Sequence, residues 1–450
     1  MGATDQLAEM ADSLRWDHLD TETRHRAVRH LLDTVGVMVA GASGDVTRRA
    51  TIALDPNRSE GGVPVPGRDE PSGLLDAAFL GGTAAHGMEL DDGYREGTVH
   101  PGVCVIPAAL ALACGTATSG VELLESVVVG YEAVIAVARA CHPALREGGF
   151  HPTSATGVFG SALAGARLLG LTSGQATHAL GLAASSAGGL FAFLAGGGDV
   201  KRLHAGNASR GGLLAALLAA EGVEGPPAVL EGKDGFAEAF AGGFARPFAV
   251  APGGRYGIAD CYVKPYPCCR HLQPAAEALF AIRLEEGVAP DEIERIEVQT
   301  YSIAAQHARA RWDTFAGAQL SMPYVCALAA RDGAITMESF ADNTRSDRAL
   351  ADLASKVTVS VDGALDASYP RYRPARVTVV TPRGRFTRES LEALGSDRIP
   401  LDDDGLSEKF VTLVSPVLGS DRADELLDAL WKMETAGEAR SVVELAVPES

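Results

Sequence analysis

Residues 20–41 read DTETRHRAVRHLLDTVGVMVAG, and this stretch shows most clearly which kind of fold the chain adopts. Apolar residues recur along it at intervals of three and four: Ala27, Val28, Leu31, Leu32 and Val35. Such spacing puts them on one face of an α-helix, and Gly41 is a residue type that commonly ends a helix. The stretch therefore predicts a long helix with one face buried in a core.

The same periodicity returns further along the chain. It predicts helices over residues 72–87, 107–119, 121–140, 154–169, 173–190 and 208–221. Glycine supplies 51 of the 450 residues and aromatic residues only 6%, which suits closely packed small-residue helices better than an aromatic-rich sandwich. This part of the chain is predicted to be all-helical.

The pattern changes near Cys261. Residues 294–302, 356–361 and 375–381 alternate apolar and polar side chains, as half-buried strands do. Helical stretches lie between them, and helical periodicity resumes over residues 406–414 and 422–435. The sequence therefore predicts a mainly α protein: a large all-helical domain (1–262 and 393–450) with an inserted, smaller α+β domain (263–392).

The charge and the cysteine content indicate which partners, metal sites and cell compartment to expect. There are 39 basic and 58 acidic residues, a formal charge of −19, so neither nucleic acid nor a membrane is expected as a partner. The seven cysteines contain no C-x-x-C pair, which predicts no metal site and suits a reducing compartment. The first ten residues lack a secretory pattern, and a cytoplasmic protein is expected.

The segment GTAAHGMELDDGYREGTVHPG (residues 82–102) concentrates polar groups on a connection between apolar helices. Such density often marks a functional site. His100 is a candidate acid–base or anion-binding group, and Glu89 and Asp92 are candidate substrate contacts. The alternative is a helix-capping region with solvated carboxylates.

Two further segments place histidines beside helices. In GGFHPTSATGVFG (residues 148–160), His151 precedes a predicted helix whose free N–H groups would suit a carboxylate. An ordinary N-cap explains it equally well, and the glycine spacing does not fit a dinucleotide site. In DVKRLHAGNASR (residues 199–210), Lys201 and His204 suggest an anion pocket, with a solvated turn as the alternative.

The stretch YVKPYPCCRHLQ (residues 262–273) combines Lys264, Arg270 and His271 with two prolines that restrict the backbone. A lysine desolvated in this setting has a lowered pKa and becomes a usable base. The alternative is a rigid linker between domains. Tyr324, at the start of a predicted helix, is a candidate hydrogen-bond donor, although a core tyrosine is the more common case.

These groups share a chemistry. Removing a proton next to a carboxylate needs a positioned base, and the resulting negative charge needs nearby cations or donors. Several histidines and lysines without a cofactor motif predict an enzyme that eliminates, decarboxylates or epimerises a small polycarboxylate without a cofactor.

Seven segments together resemble the MmgE/PrpD family, and they occur in the order expected for it. They are LLDTVGVMVAG (31–41), HGMELDDG with HPG (86–102), GFHPTSATGVFGSA (149–162), KRLHAGNASRGG (201–212), KPYPCCRH (264–271), SMPYVCALAARDG (321–333) and KF (409–410). The resemblance implies a homodimer with an α+β lid on the helical domain and the active site between them. Known members include 2-methylcitrate dehydratase, cis-aconitate decarboxylase and iminodisuccinate epimerase, none of which needs a cofactor.

By resemblance to the decarboxylase branch, the pocket positions are His100, His151, Lys201, Lys264 and Tyr324. This sequence has Glu89, Gly93 and Cys269 where that branch carries Asp, Thr and His, which favours a different substrate. The first expectation is a 2-methylcitrate dehydratase-like hydro-lyase. Epimerisation, decarboxylation and carboxylate binding without turnover are the alternatives.

The expected roles follow from the same reading. His151 or Lys264 removes the proton, and His100 and Tyr324 assist acid transfer. The predicted substrate contacts are Glu89, Asp92, Lys201, His204, Arg270 and His271.

Overall fold

The computed structural model describes residues 1–54, 62–195, 198–309 and 311–449, and its contacts divide the chain into two units. The first unit is Met1–Val263 with Asp402–Ser450, and the second unit is Lys264–Leu401. The second unit thus ends at 401, whereas the sequence placed the boundary at 392. Arg270 gives a reason, because its guanidinium donates to the carbonyl oxygens of Ala393 and Leu394 and so ties them to the second unit.

The fold is mainly α, as the periodicity predicted. The helices of the first unit are α1 (Ala3–Ser13), α2 (Thr21–Gly41), α3 (Asp45–Leu54), α4 (Leu74–Gly87), α5 (Gly102–Gly115), α6 (Gly120–Cys141), α7 (Ala144–Glu147), α8 (Pro152–Leu168), α9 (Ser173–Ala184), α10 (Asp199–Ala220) and α11 (Phe236–Ala241), followed after the second unit by α19 (Asp403–Leu418), α20 (Ser420–Trp431) and α21 (Ala439–Leu445). No helix within the described ranges is both long and apolar enough to cross a bilayer.

Helix α2 forms where the sequence predicted it. Its first turn is capped by the side chain of Asp20, which accepts a hydrogen bond from the peptide N–H of Thr23 at 2.8 Å. Gly41 is its last residue, and a Cβ there would lie 2.1 Å from the carbonyl oxygen of Ala84 in α4. Glycine therefore allows α2 and α4 to approach closely.

Small residues also bring α4 against α10. A Cβ on Gly82 of α4 would lie 2.9 Å from the backbone nitrogen of Gly206 in α10. A larger residue at either position would separate the two backbones. This crossing matters because the last turn of α4 carries His86 and α10 carries Lys201 and His204.

A buried ion pair joins α19 to α2. The ammonium of Lys409 lies 2.6 Å from Asp33 Oδ1 and also donates to the carbonyl oxygen of Leu90 at 2.9 Å. Burial raises the pKa of Asp33, and Lys409 opposes that effect. The lysine of the KF motif thus neutralises a core carboxylate and holds the chain just before Asp91.

The second unit contains a four-stranded sheet in the order β2-β1-β3-β4. Its strands are β1 (Arg295–Thr300), β2 (Val357–Val361), β3 (Ala375–Thr381) and β4 (Gly384–Ser390). Strand β1 pairs parallel with β2, with Ile296 opposite Val357, and antiparallel with β3, while β3 and β4 are antiparallel neighbours. The sequence predicted the first three strands. The edge strand β4 (GRFTRES) was not predicted, because its residues are nearly all polar and do not alternate with apolar ones, although its side chains alternate in burial.

Helices cover this sheet and fill out the second unit. They are α12 (Gln273–Glu286), α13 (Ser302–Ala305), α14 (Phe315–Gln319), α15 (Met322–Asp332), α16 (Asp342–Arg345), α17 (Arg348–Ser355) and α18 (Gly363–Asp366). Helix α12 packs on β3 and β4, and its buried side chains share one apolar core with α15 and the inner face of β1.

Candidate active site

The connection between α4 and α5 is buried, although it is rich in charged side chains. Asp91 and Asp92 are 2% and 0% exposed, so the alternative of solvated carboxylates does not describe them. Glu89 adopts a left-handed backbone conformation with φ of 54°, which is uncommon for a residue with a side chain. Strained backbone of this kind is characteristic of functional sites.

Four imidazoles of the first unit meet at this connection, and we call them the histidine cluster: His86, His100, His151 and His204. The ring centre of His86 lies 5.4 Å from that of His100 and 5.6 Å from that of His151. His151 and His204 are 5.2 Å apart. The structure therefore brings together three predicted site histidines from separate segments and adds His86.

Asp91 orients two members of the cluster. Its Oδ2 lies 2.8 Å from His86 Nδ1 and 3.0 Å from His100 Nδ1. Because a carboxylate accepts hydrogen bonds, both Nδ1 atoms carry a proton and each neutral ring keeps its lone pair on Nε2. His86 Nε2 is buried and has no hydrogen-bond partner among the described residues. Asp91 thus prepares two rings to accept protons.

The other two histidines contact each other. The Nδ1 atoms of His151 and His204 are 3.0 Å apart, so one donates and the other accepts. The His151 peptide N–H donates to the Gly189 carbonyl, and the rings of Phe191 and Phe193 meet its imidazole edge-on. His151 therefore has an apolar environment on one side and a polar partner on the other.

A lysine supplies positive charge beside the cluster. Lys201 forms a buried ion pair with Glu89 and lies one helical turn before His204 on α10. The segment 199–210 is the first three turns of α10, so the alternative of a solvated turn is wrong for these residues. On this helix, Lys201 and His204 both point into the first unit and are buried there.

Burial and positive neighbours keep three imidazoles of the cluster uncharged: His86, His151 and His204. Burial, reinforced by the charge of Lys201, lowers the pKa of His86 to about 3. Burial also lowers the pKa of His151 well below its usual value, and His86 and His204 add to the effect. The pKa of His204 is lowered by burial and by Lys201. Near neutral pH these three rings are therefore in the base form, with one nitrogen lone pair available to a proton.

These pKa directions predict how stability depends on pH. Below the ordinary imidazole pKa of about 6.5, the unfolded chain binds protons that the folded His86, His151 and His204 do not. Stability should therefore fall as the pH drops from about 6.5 towards 5, by about 1.4 kcal/mol per pH unit for each imidazole that stays neutral. Urea unfolding at pH 5.0, 5.5, 6.0, 6.5 and 7.0 would measure how the free energy of unfolding depends on pH.

The matched variants for this measurement are His86→Asn and His25→Asn. An asparagine at 86 keeps a donor for Asp91 but removes the titratable ring, so the dependence should become less steep. His25 is an exposed histidine of α2 that lies 3.0 Å from Asp403, and its replacement shows what removing a histidine outside the cluster does to the slope. An equal slope in wild type and His86→Asn would contradict the pKa direction assigned to His86.

Asp92 was predicted as a substrate contact, and the structure places both its oxygens in protein contacts. Oδ1 accepts from the Gly102 N–H at 3.1 Å, and Oδ2 accepts from the Tyr131 hydroxyl at 2.6 Å and lies 3.1 Å from His30 Nδ1. With Cys261, Asp92 and His30 form the one group of possible metal ligands in the described ranges. Burial raises the pKa of the Cys261 thiol well above normal, which disfavours the thiolate that a metal needs.

The remaining predicted site residues belong to the second unit. Lys264 is 1% exposed. The guanidinium of Arg270 donates to Gln273, Ala393 and Leu394, and so has a structural role within its unit. His271 Nδ1 lies 2.5 Å from the Tyr301 hydroxyl.

Tyr324 has the environment of a core tyrosine. Its side chain is fully buried, stacks on Trp312 and donates its hydroxyl proton to the Ser339 carbonyl at 2.6 Å. Burial raises the pKa of this hydroxyl to about 12. These contacts give no support to the predicted acid role of Tyr324.

Sequence reasoning gave no role to His86 or Asp91, although both stand in the segment it singled out. The signal available was their spacing of five residues, which lets one side chain reach the other after the helix ends at Gly87. His307 of the second unit had no such signal, because the residues that it contacts are distant from it in sequence.

Comparison with known proteins covers nearly the whole chain. Residues 5–249 match the model of the MmgE/PrpD N-terminal domain, and residues 266–434 match that of the MmgE/PrpD C-terminal domain. A cis-aconitate decarboxylase of Aspergillus terreus is 27% identical over 476 residues, covering 99% of this chain and 96% of the relative. The cis-aconitate decarboxylases of Mus musculus and Homo sapiens are each 29% identical over 450 residues, covering 96% of this chain and 90% and 92% of theirs.

Proposed function

Because the chain belongs to the MmgE/PrpD family of enzymes, we propose that it is a lyase for a small tricarboxylate and that the histidine cluster moves the protons of the reaction. One observation carries the proposal: four imidazoles, three of them buried, meet next to the cation of Lys201, and two of the four contact Asp91. This arrangement combines acid–base groups with a charge that can hold a carboxylate.

Decarboxylation is the first activity proposed, because the curated relatives named above are cis-aconitate decarboxylases. In that reaction a carbon–carbon bond breaks, carbon dioxide leaves, and the remaining electron pair takes a proton. The rings of Phe191 and Phe193 beside His151 favour loss of a desolvated carboxylate there. His100, whose side chain is partly exposed to solvent, then passes a proton from water to this carbon.

Dehydration, the first expectation from the sequence, is the second candidate. It begins with removal of a proton next to a carboxylate, and the lowered pKa values of His86 and His151 favour the neutral bases that this step needs. Both reactions use the same groups. We assign proton transfer to His151 and His100, carboxylate binding to Lys201 and His204, and orientation to Asp91.

Lys264 remains a predicted base of the reaction. We also propose that Glu89 holds the ammonium of Lys201 until a carboxylate of the substrate takes the place of Glu89. In the ion pair with Glu89, the ammonium is already desolvated and positioned. Exchange of one carboxylate for another then costs less than capture of an anion by a hydrated lysine.

The test is a panel of cis-aconitate, citrate, 2-methylcitrate and an amino-dicarboxylate, each incubated with the enzyme in heavy water and followed by proton NMR. Decarboxylation of cis-aconitate releases carbon dioxide and leaves deuterium on the product. Dehydration of the hydroxy acids produces an alkene that absorbs in the ultraviolet. Exchange without net conversion would instead identify an epimerase, and no change with any tricarboxylate would contradict the proposal.

We further propose that the chain is a cytoplasmic homodimer. All seven cysteines are free, which suits a reducing compartment, and the family resemblance supports the dimer. Light scattering on the purified chain and fractionation of cells that express it would test the two statements separately.

A further inference from the structure

The second unit contains a nucleophilic pair that the proposed lyase reaction does not use. Cys269 Sγ lies 3.8 Å from His307 Nε2, within hydrogen-bonding reach for sulfur. His307 Nδ1 lies 2.8 Å from the Leu320 carbonyl oxygen and therefore carries a proton. The ring is thus held with Nε2 directed at the thiol, which is the geometry that lets an imidazole take a thiol proton.

The surroundings of Cys269 stabilise a negative charge on its sulfur. Burial alone would raise the pKa of this thiol, but His307, the peptide N–H of His271 and the charge of Lys264 together lower it to about 6. Tyr301 and Cys268 also interact electrostatically with Cys269, and the His271 ring lies 5.8 Å from that of His307. Cations therefore dominate the environment of this sulfur.

Cys268, which precedes Cys269 in the sequence, provides a comparison within the same protein. Cys268 is fully buried, and burial raises the pKa of its thiol above normal. Cys269 is only partly buried, and access of a small reagent to its sulfur is part of what the alkylation test measures. Reactivity at Cys269 would thus be a property of its contacts and not of the vicinal pair.

We propose that Cys269 and His307 form a thiolate–imidazolium pair that is a covalent modification site for anionic carbon electrophiles, chiefly α,β-unsaturated carboxylates. The sulfur of Cys269 forms a bond to the β-carbon, and the π electron pair of the alkene moves to the α-carbon. The α-carbon takes the proton from His307 Nε2. The product is a thioether, and nothing is oxidised or reduced.

The test is alkylation of the native full-length chain with iodoacetate and iodoacetamide between pH 5 and 9, mapped by peptide mass. We expect labelling at Cys269, with a pH midpoint near 6 and no label on Cys268. Native Cys269 should also favour iodoacetate over iodoacetamide more strongly than the same cysteine in the denatured chain does. Incubation with maleate should add one maleate mass at Cys269.

Three variants make the result specific. Cys269→Ser should abolish the label, and His307→Gln should move the midpoint up by about two pH units towards the ordinary thiol value. His18→Gln, in the first unit, should leave the midpoint unchanged. If His307→Gln does not fold, as judged by circular dichroism, the wild-type midpoint and the iodoacetate preference decide the matter.

A wild-type midpoint above pH 8, equal labelling of Cys268, or an unchanged midpoint in folded His307→Gln would overturn the proposal. The assay needs no turnover. A chain that fails the substrate panel but alkylates as described would therefore refute the proposed lyase function and leave the reactive pair standing.

Discussion

Replacing His151 with asparagine should lower kcat by about 10²- to 10⁴-fold, the range usual for loss of an acid–base group. An asparagine keeps a polar atom near the place of Nδ1, so the contact with His204 can persist while Nε2 is removed. The effect should therefore appear in turnover and leave the fold intact. Steady-state kinetics on the substrate identified by the panel, with circular dichroism, would measure both.

The control is His178→Asn. His178 is a partly buried histidine of α9, and its Nδ1 contacts the backbone of Gly225. Removing this ring alters a helix of the same unit without touching the histidine cluster, so kcat should stay within about twofold. A His151→Asn enzyme with wild-type kcat would exclude His151 from the proton transfers.

Replacing Asp91 with asparagine should lower kcat by about 10²- to 10³-fold with a much smaller change in KM. The neutral amide is a weaker acceptor than the carboxylate, so the ring of His86 loses its fixed tautomer. The ring of His100 loses its contact with the charge but keeps the carbonyl oxygen of Asp92 as a partner for Nδ1. Asp91 also opposes the lowering of the pKa of His151, a proposed proton-transfer group. Its loss should move the acidic limb of the pH–rate profile to lower pH.

A shift of the acidic limb would show that Asp91 acts on the histidines, because structural damage alone would lower kcat without moving the pH profile. Asp91→Glu, which keeps the charge, should recover part of the activity and return the acidic limb towards its wild-type pH. Asp260→Asn removes an exposed carboxylate paired with Arg255 and should change neither value. Equal losses in kcat for the asparagine and glutamate variants, with an unmoved pH profile, would count against the orienting role.

Much of the fold could be predicted from the sequence because its signals are local. The apolar spacing in α2 and the alternation in β3 give both elements close to their observed bounds. The polar edge strand β4 was not predicted, since its identity depends on pairing with β3. The start of α10 was also missed, because burial against α4 outweighs the charges of residues 199–210.

The residues of the candidate site were also only partly predictable from the sequence. His100, His151 and His204 could be found from their segments, but their meeting depends on helix crossings such as that of Gly82 with Gly206. Arg270 looked like an anion ligand, yet its guanidinium is occupied by carbonyl groups more than a hundred residues away. Nothing local in the sequence distinguishes these two outcomes.

The most direct test of the histidine cluster is deuterium incorporation from heavy water into the substrate or product, read by proton NMR for wild type and His151→Asn side by side. The account predicts that wild type places deuterium at a carbon next to a carboxylate and that His151→Asn does so at least about 100-fold more slowly. Equal rates of incorporation by the two proteins would contradict it.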